Sequence, residues 1–159
     1  MKEIRLTQGV SAIVDDDIYE YLSSWKWQAE KTNYGYRAFR TQKTGFIKKK
    51  KIYMHREILK ISDDLQVDHI NHNTLDNRTC NLRAATRKQN TQNRTRKNNT
   101  GYKGVKYVNG KFQARIGTDP NRIIIGYFRT AREAAIEYNK KAIELYGDFA
   151  CLNELQENQ

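Results

Sequence analysis

The sequence predicts an α+β fold of short strands and short helices, and three observations lead to this prediction. The first part of the 159-residue chain is rich in β-forming residues. The middle carries a strand, loop, strand, helix pattern whose helix opens with the capping box Thr86-x-x-Gln89. The last part combines the hairpin signal Asn109-Gly110 with a helical stripe, which predicts a three-stranded antiparallel sheet packed on one helix.

These patterns divide the chain into three zones, at residues 1–52, 53–98 and 99–159. In the first zone, β-formers cluster or alternate in three stretches, at residues 11–14, 25–29 and 34–39. A short helix with acidic residues at its start is predicted at 16–23. The zone ends in four lysines at 48–51, which form either a charged hairpin edge that resists aggregation or a set of phosphate contacts.

The middle zone opens with a predicted helix at 54–60. A strand is predicted at 65–70, a polar loop rich in turn formers at 71–80, and a second strand at 81–85. The helix that follows lies in a segment with basic residues and no acid, which comprises Arg83, Arg87, Lys88, Arg94, Arg96 and Lys97. A solvated helix normally mixes charge signs, so this run indicates an external anion.

The composition narrows the partners further. The chain has 29 Lys and Arg against 18 Asp and Glu, a net charge of +11, and this excess indicates a polyanion as partner. No apolar run is long enough to cross a membrane, and a hydrophobic content of 38% is against a large pocket for an apolar metabolite. The two cysteines, Cys80 and Cys151, form no Cys-x-x-Cys pair, so we expect a reduced, cytosolic protein.

Four residues of the middle zone suit the hydrolysis of a phosphodiester. His69 can accept a proton near neutral pH. Asp68 and Asn90 offer oxygen ligands that suit magnesium better than a soft metal. Asn81 follows the histidine at a distance of twelve residues. Each of these residues alone is more often a turn former or a surface residue. The prediction depends on finding all four together in one strand, loop, strand, helix segment.

The middle zone resembles the HNH family of homing and phage endonucleases. The matching blocks are Asp68-His-Ile-Asn-His-Asn73, Leu75-Asp-Asn-Arg78, Asn81-Leu-Arg-Ala-Ala-Thr86, Gln89-Asn90 and Asn93-Arg94. The resemblance implies a ββα-metal (His-Me) finger at 53–98 that hydrolyses DNA. By position, His69 is then the general base and Asn81 orients the backbone of that histidine. Asp68 and Asn90 are then ligands of Mg²⁺, for which Mn²⁺ is an acceptable substitute.

Four further expectations concern the same region. Members of the family that are stabilised by zinc hold paired cysteines around the finger, and Cys80 alone cannot replace them, so we expect no structural zinc. We expect His55 to be a packed or phosphate-contacting residue. We expect His72 to lie in the loop near the metal. The basic residues Arg83, Arg87, Lys88, Arg94 and Lys97 are predicted to contact DNA.

The third zone predicts strands at 102–108, 111–116 and 122–128. A helix follows, opened by the capping box Thr130-x-x-Glu133 and ended by Gly147. In the second strand the apolar side chains point to the helix. Lys111, Gln113 and Arg115 are therefore expected on an open polar face, which can enter the major groove of DNA.

This zone resembles the APETALA/ethylene-response-factor DNA-binding domain of plants. The matching pieces are Tyr102-Lys-Gly-Val105, Gly126-Tyr-Phe-Arg-Thr130, Glu133-Ala-Ala135 and residues 138–153. The resemblance implies DNA-facing positions at Lys103, Lys106, Arg115 and Arg122, beside Gln113 on the polar face. Arg115 stands where plant members commonly have an acid, and Gly117 where they have a base, so the plant target sequence is not carried over.

Together these observations predict a homing-type, metal-dependent endonuclease that acts as a monomer on double-stranded DNA in a bacterial or phage-infected cell. Two alternatives stay open. One is a non-catalytic DNA-binding regulator that keeps the nuclease finger as a scaffold. The other, weaker alternative is an RNA-binding protein whose tyrosines stack on bases.

Overall fold

The structure is a computed structural model that describes residues 1–33, 35–45, 48–95, 98–118 and 120–155. These residues form ten strands and four α-helices, which confirms a mixed α and β fold. The chain divides into two compact units, Met1–Arg87 and Lys88–Gln159. Among the described residues, no helix has both the length and the apolar character needed to cross a membrane.

The first unit contains seven strands and two helices within its described residues. In chain order they are β1 (Lys2–Arg5), β2 (Ser11–Val14), α1 (Asp16–Ser23), β3 (Gln28–Thr32), β4 (Gly35–Lys43), β5 (Lys49–Tyr53), α2 (Met54–Leu59), β6 (Gln66–His69) and β7 (Leu82–Ala85). β1 pairs with β2, β3, β4 and β5 form a sheet in that order, and β6 pairs with β7, all antiparallel.

The core of this unit lies between the two N-terminal sheets and the helices. α1 buries Leu22 and α2 buries Met54, and both side chains are fully buried. They meet small and β-branched residues of the sheets, among them Val14, Ala29 and Ala38. The predicted helix at 16–23 is confirmed, and its first turn carries Asp16 and Asp17, whose negative charge suits a helix N-terminus.

β1 is absent from the sequence prediction, and β5 corresponds to the charged hairpin edge that was one of two interpretations of residues 48–51. β1 has one buried residue, Ile4, and the exposed residues of β5 are the lysines Lys49–Lys51. Neither segment shows the apolar alternation by which a strand is recognised. Both are edge strands, where charged side chains point to solvent while the backbone pairs with the neighbouring strand.

The second unit opens with α3 (Arg87–Gln92), whose first residue lies at the boundary between the units. It continues with β8 (Val105–Val108), β9 (Lys111–Ile116), β10 (Ile123–Phe128) and α4 (Ala131–Tyr146). The strands form an antiparallel sheet in the order β10-β9-β8, and α4 contacts all three. The predicted three-stranded sheet and its helix are therefore confirmed, and the capping box of Thr130 and Glu133 is present.

The helix α4 packs on the sheet through small residues. Ala134, Ala135 and Ala142 are fully buried, and Tyr138 fills the space that they leave. Gly104 lies under the ring of Tyr138, with a φ of +75°, and a Cβ atom at this position would lie 2.1 Å from that ring. Only glycine allows both the backbone conformation and the close approach here.

Candidate active site

The two strands β6 and β7 place Asp68 beside His69 and pair Asp68 with Arg83. In the antiparallel register Asp68 lies opposite Arg83, and His69 lies opposite Leu82. The Arg83 guanidinium donates from Nε to Asp68 Oδ2 at 2.8 Å, and its Nη2 lies 2.7 Å from the same oxygen. Arg83, predicted to contact DNA, is thus held by a buried carboxylate of the candidate site.

His69 is an almost fully buried histidine with a pKa below its ordinary value. It is 7% exposed, and burial is the main cause that lowers the pKa. The neighbouring Asn77 side chain raises the pKa, and the carboxylates of Asp68 and Asp76 raise it to a lesser extent. Because burial prevails, the imidazole is neutral at physiological pH and is able to accept a proton.

Two aromatic rings connect His69 to the sheet of the N-terminal zone. His55 of α2 contacts His69 edge-on, with ring centroids 5.3 Å apart and planes at 87°. On its other side, His55 stacks on Tyr53 of β5, with centroids 5.6 Å apart and planes at 8°. Burial lowers the pKa of His55 to about 3. His55 is therefore a packed, neutral ring against the candidate base, in agreement with the first of the two roles expected for it.

The rings continue into a polar cluster on β3, β4 and β5. Tyr53 donates its hydroxyl to Glu30 Oε2 at 3.0 Å. The same carboxylate accepts from Lys51 at 2.7 Å and from Arg37 at 3.3 Å, and the Arg37 guanidinium lies 5.0 Å from the Tyr53 ring centroid. The charge of Arg37 also lowers the pKa of both His55 and His69, which places this cation near the candidate base.

The loop between β6 and β7 is ordered by Asn81 and Asp76. The Asn81 amide accepts from the backbone N–H of Asn71 at 2.9 Å and donates to the carbonyl of Asp76 at 2.8 Å. Asn81 thus holds the loop that follows His69, whereas the resemblance placed its contact at the backbone of His69 itself. The Asn81 side chain, near the end of the loop, instead contacts Asn71 at the start of the loop and Asp76 in its middle.

Asp76 is the second organising residue of this loop. Its buried carboxylate accepts two bonds from the Arg78 guanidinium, at 2.8 and 2.7 Å, and one from the Asn71 amide at 2.8 Å. The bond from Arg78 is the main cause that lowers the pKa of Asp76. The neighbouring Asn77 is fully buried, and its side chain acts on His69.

The loop is also fixed to the strand β2. Ile13 donates its N–H to the carbonyl of Leu75 at 2.8 Å and accepts from the N–H of Asn77 at 2.8 Å. Next to this bridge, Asp15 Oδ2 accepts from both the N–H and the hydroxyl of Thr79, each at 2.7 Å. The first strands of the chain therefore hold the loop on which the surroundings of His69 depend.

The donor set of this site suits a hard cation. Asp68 offers a carboxylate oxygen. The described residues contain no cluster of three or more His, Cys, Asp or Glu side chains that could hold a metal ion. A small hard cation such as magnesium commonly binds through one or two carboxylates, with water and substrate phosphate as its other ligands. Asn90 lies on α3, and its role as a second ligand stays a prediction.

The remaining predicted DNA contacts lie in different surroundings. Arg87, Lys88 and Arg94 are exposed residues in and after α3, and Lys97 lies outside the described residues. On the second unit's sheet, Lys106 and Arg122 are exposed and Arg115 is half-buried. Lys103 is half-buried and donates its ammonium to the carbonyl of Gln92.

The expectation that Gln113 lies open on the polar face of the sheet is wrong. Gln113 is only 8% exposed, and its amide donates to the hydroxyl of Tyr127 at 2.8 Å. Tyr127 lies opposite Gln113 in the register of β9 and β10, on the same face, and is itself 54% exposed. A large residue on the neighbouring strand covers the amide, which the alternation of one strand alone cannot predict.

Sequence reasoning assigned no role to Arg37, Tyr53, Asp76 or Asn77. Asp76 and Asn77 lie in the block Leu75-Asp-Asn-Arg78, which carried the resemblance, so a signal for them was present. Tyr53 and Arg37 act through contacts between strands that are distant in sequence from β6, and nothing in their local pattern indicates those contacts.

Comparison with known proteins supports the same interpretation. Residues 60–92 match the family described as HNH endonuclease, and the matched segment includes Asp68, His69, Asn81 and Asn90. The chain is also 34% identical over 155 residues to a protein named as an uncharacterized HNH endonuclease from Acanthamoeba polyphaga mimivirus. That alignment covers 93% of this chain and 77% of the viral protein. The chain belongs to the HNH endonuclease family and is an enzyme that hydrolyses phosphodiester bonds.

Proposed function

We propose that this protein is a homing-type, metal-dependent endonuclease that cleaves double-stranded DNA at a preferred site, as a monomer. The observation that carries the proposal is the buried, neutral His69 next to the buried Asp68 on a pair of strands. A base and an anionic oxygen ligand side by side are what phosphodiester hydrolysis requires.

In this proposal His69 accepts a proton from the water molecule that attacks phosphorus. The bond from phosphorus to one sugar oxygen breaks, and this oxygen leaves and takes up a proton from solvent. Burial keeps the imidazole deprotonated, and the edge-on ring of His55 limits its rotation. Asn81 and Asp76 hold the loop after His69, and Asn77 acts on the imidazole through its amide. These residues are positioning residues, because each acts through His69 or its loop.

Asp68 and Asn90 are the proposed ligands of Mg²⁺, with Mn²⁺ as a substitute. When bound, this ion supplies charge neutralisation at the scissile phosphate. The ion pair with Arg83 fixes the orientation of the Asp68 carboxylate and keeps a positive charge within the site. We assign Arg83 the role of holding Asp68 as well as its predicted attraction for phosphate.

Within the second unit, residues 99–159 are proposed to be a DNA-binding module like the APETALA/ethylene-response-factor domain. A three-stranded sheet with a helix on one face leaves its other face open. Lys106 and the half-buried Arg115 belong to that face, and Arg122 is an exposed cation just before β10. We propose 53–98 as the nuclease finger and 99–159 as this module. The proposed phosphate contacts at the C-terminal end of the finger are Arg87, Lys88, Arg94 and Lys97.

The substitution His69→Ala tests the proposed function. We expect it to abolish cleavage of a plasmid in the presence of Mg²⁺ or Mn²⁺, while the Kd for the same DNA changes less than about threefold, because no phosphate contact is removed. Cys80→Ala is the matched control, since Cys80 is exposed in the same region and has no role in the site.

Three outcomes bear on the proposal. Wild-type cleavage in His69→Ala would contradict the assignment of the base. If the native protein still cleaved DNA in the presence of a strong chelator, the proposed dependence on a metal ion would be contradicted. If the native protein bound DNA tightly and did not cut it with either ion, it would be a DNA-binding regulator with a nuclease scaffold.

A further inference from the structure

One face of the β3-β4-β5 sheet carries four cations. Along β4, Arg37 and Lys43 lie an even number of residues apart, so their side chains point to the same side of the sheet. The register pairs Lys43 with Lys49 and Thr41 with Lys51, which adds Lys49 and Lys51 of β5 to that side. We call this side, with Arg37, Lys43, Lys49 and Lys51, the cationic face.

The cationic face has a net positive charge. Among the described strand residues that point to this side, Glu30 is the one acid. Lys51 and Arg37 form ion pairs with it, and Tyr53 donates a hydrogen bond to it. Glu30 is thus shared by several donors of the sheet, and no other acid of these strands balances Lys43 and Lys49.

The pair of Lys43 and Lys49 is unfavourable for the isolated sheet. The two residues are directly opposite each other in the register of β4 and β5, and both are exposed. Like charges in this position destabilise a sheet, whereas an opposite charge across the strands would stabilise it. An external anion that binds between the two ammonium groups removes this repulsion, which favours a polyanion as the ligand of this face.

The cationic face leads directly to the candidate base. Tyr53 lies on this face at the end of β5, stacks on His55, and His55 contacts His69. Arg37 lies over the ring of Tyr53. From Tyr53 to Lys49 the strand extends over about 14 Å, at roughly 3.4 Å per residue. A strand of nucleic acid that enters the active site can therefore continue along this face over several phosphates.

We propose that the cationic face binds the phosphate backbone of the DNA duplex on one side of the cleaved bond. This inference rests on the proposed function, and it assigns Lys43 and Lys49 as phosphate contacts next to the hairpin tip. Arg37 is the contact nearest to the active site. Lysine side chains in such a row position the duplex without reading its sequence.

The salt dependence of DNA binding tests this proposal. The double variant Lys43→Gln, Lys49→Gln should lower the slope of log K against log salt concentration by about 1.8, since each phosphate contact contributes about 0.9. The control variant Lys31→Gln, Lys50→Gln removes the same charge from exposed lysines on the opposite side of the same sheet. We expect its slope to stay close to that of the native protein.

Equal slopes for the two double variants would overturn the proposal. Loss of affinity for an RNA hairpin without loss for the duplex would also overturn it, because the face would then serve another nucleic acid. Thermal unfolding of both variants shows whether they are folded. Binding is measured without cleavage, so a native protein that fails to cut DNA overturns the proposed function, and the difference in slope still decides the role of the face.

Discussion

His55 and His69 form a pair of buried histidines whose neutral state depends on their burial. Each has a pKa below the ordinary value of 6.5, and in both cases burial is the main cause. Neutrality suits a proton acceptor at His69 and allows His55 to pack edge-on against it without a second charge. The cost of this arrangement is that acid destabilises the folded state.

The acid sensitivity of the first unit should depend on His55. Its pKa is about 3 in the folded chain and close to 6.5 when unfolded, so between these values the unfolded chain binds a proton that the folded chain does not. The free energy of unfolding should therefore fall as the pH falls through this window, by about 1.4 kcal/mol per pH unit from this residue. Above pH 6.5 this contribution is constant.

The variant His55→Phe keeps a ring and removes this titration. Urea unfolding at about pH 7 and about pH 5 should show a smaller loss of stability on acidification in the variant than in the native protein. His69 still contributes in the same direction, so some dependence remains. An identical loss in both proteins would contradict the buried, neutral state of His55.

At the scale of elements, the second unit depends on the contact between β8 and α4. A side chain at position 104 meets the ring of Tyr138 and also lies 2.7 Å from the carbonyl of Arg115. The backbone there has a positive φ, which costs an L-residue additional free energy. This point fixes the distance between the sheet and the helix.

Gly104→Ala should destabilise the second unit by several kcal/mol, on the order of a severe core substitution. Differential scanning calorimetry should show an earlier transition for this unit, and site-preferring DNA binding should weaken. Gly110→Ala is the control, because no atom lies within 4 Å of the added Cβ there although φ is also positive. Equal losses at the two positions would show that backbone strain, and not the contact with Tyr138, limits this site.

Elements with a local cause were predictable from the sequence, and those with a distant cause were not. The acids before α1 and the capping box of α4 act within one turn, and both helices were predicted. The order β6, loop, β7 followed from turn formers between two short apolar runs. β1 was missed, and β5 was foreseen only as one of two interpretations of its lysines, because the pairing of these strands comes from neighbouring strands rather than from apolar residues of their own.

The same distinction between local and distant causes applies to the residues of the candidate site. Asp68, His69 and Asn81 were found from residue types and spacing, which are local in sequence. Other contacts depend on strand register and on packing between elements. They are the ion pair of Arg83 with Asp68, the edge-on contact of His55 with His69, and the hydrogen bond by which Tyr127 covers Gln113. Such contacts need the positions of two chain segments, and a single sequence gives only the residues on each.

At the scale of the whole molecule, the two units are proposed to share the work of DNA binding. The net charge of +11 is spread over both, with exposed cations on the β3-β4-β5 sheet, around α3 and on the sheet of the second unit. Phosphate contacts position a protein on DNA, and base contacts make it specific. The cationic face is proposed to make phosphate contacts, so the preference for a DNA sequence should come from residues 99–159.

A fragment of residues 1–98 should therefore keep cleavage activity and lose site preference. Mapping of cut ends on a random duplex library, with the full chain as control, measures this directly. We expect dispersed cuts and a weaker affinity from the fragment, because Arg115 and the other proposed contacts of the second unit are removed. A fragment that cuts the same site with the same preference would place specificity in the first unit.

The attachment of the β6–β7 loop to β2 also determines when the nuclease acquires its active form during folding. Asp15 binds Thr79, a residue 64 positions later in the chain. Contacts of such long range close late, because a large loop must be ordered before they form. A nascent chain that has completed the strand with His69 thus still lacks the anchored loop. We therefore expect no cleavage of DNA by a nascent chain until the segment beyond Thr79 has emerged from the ribosome.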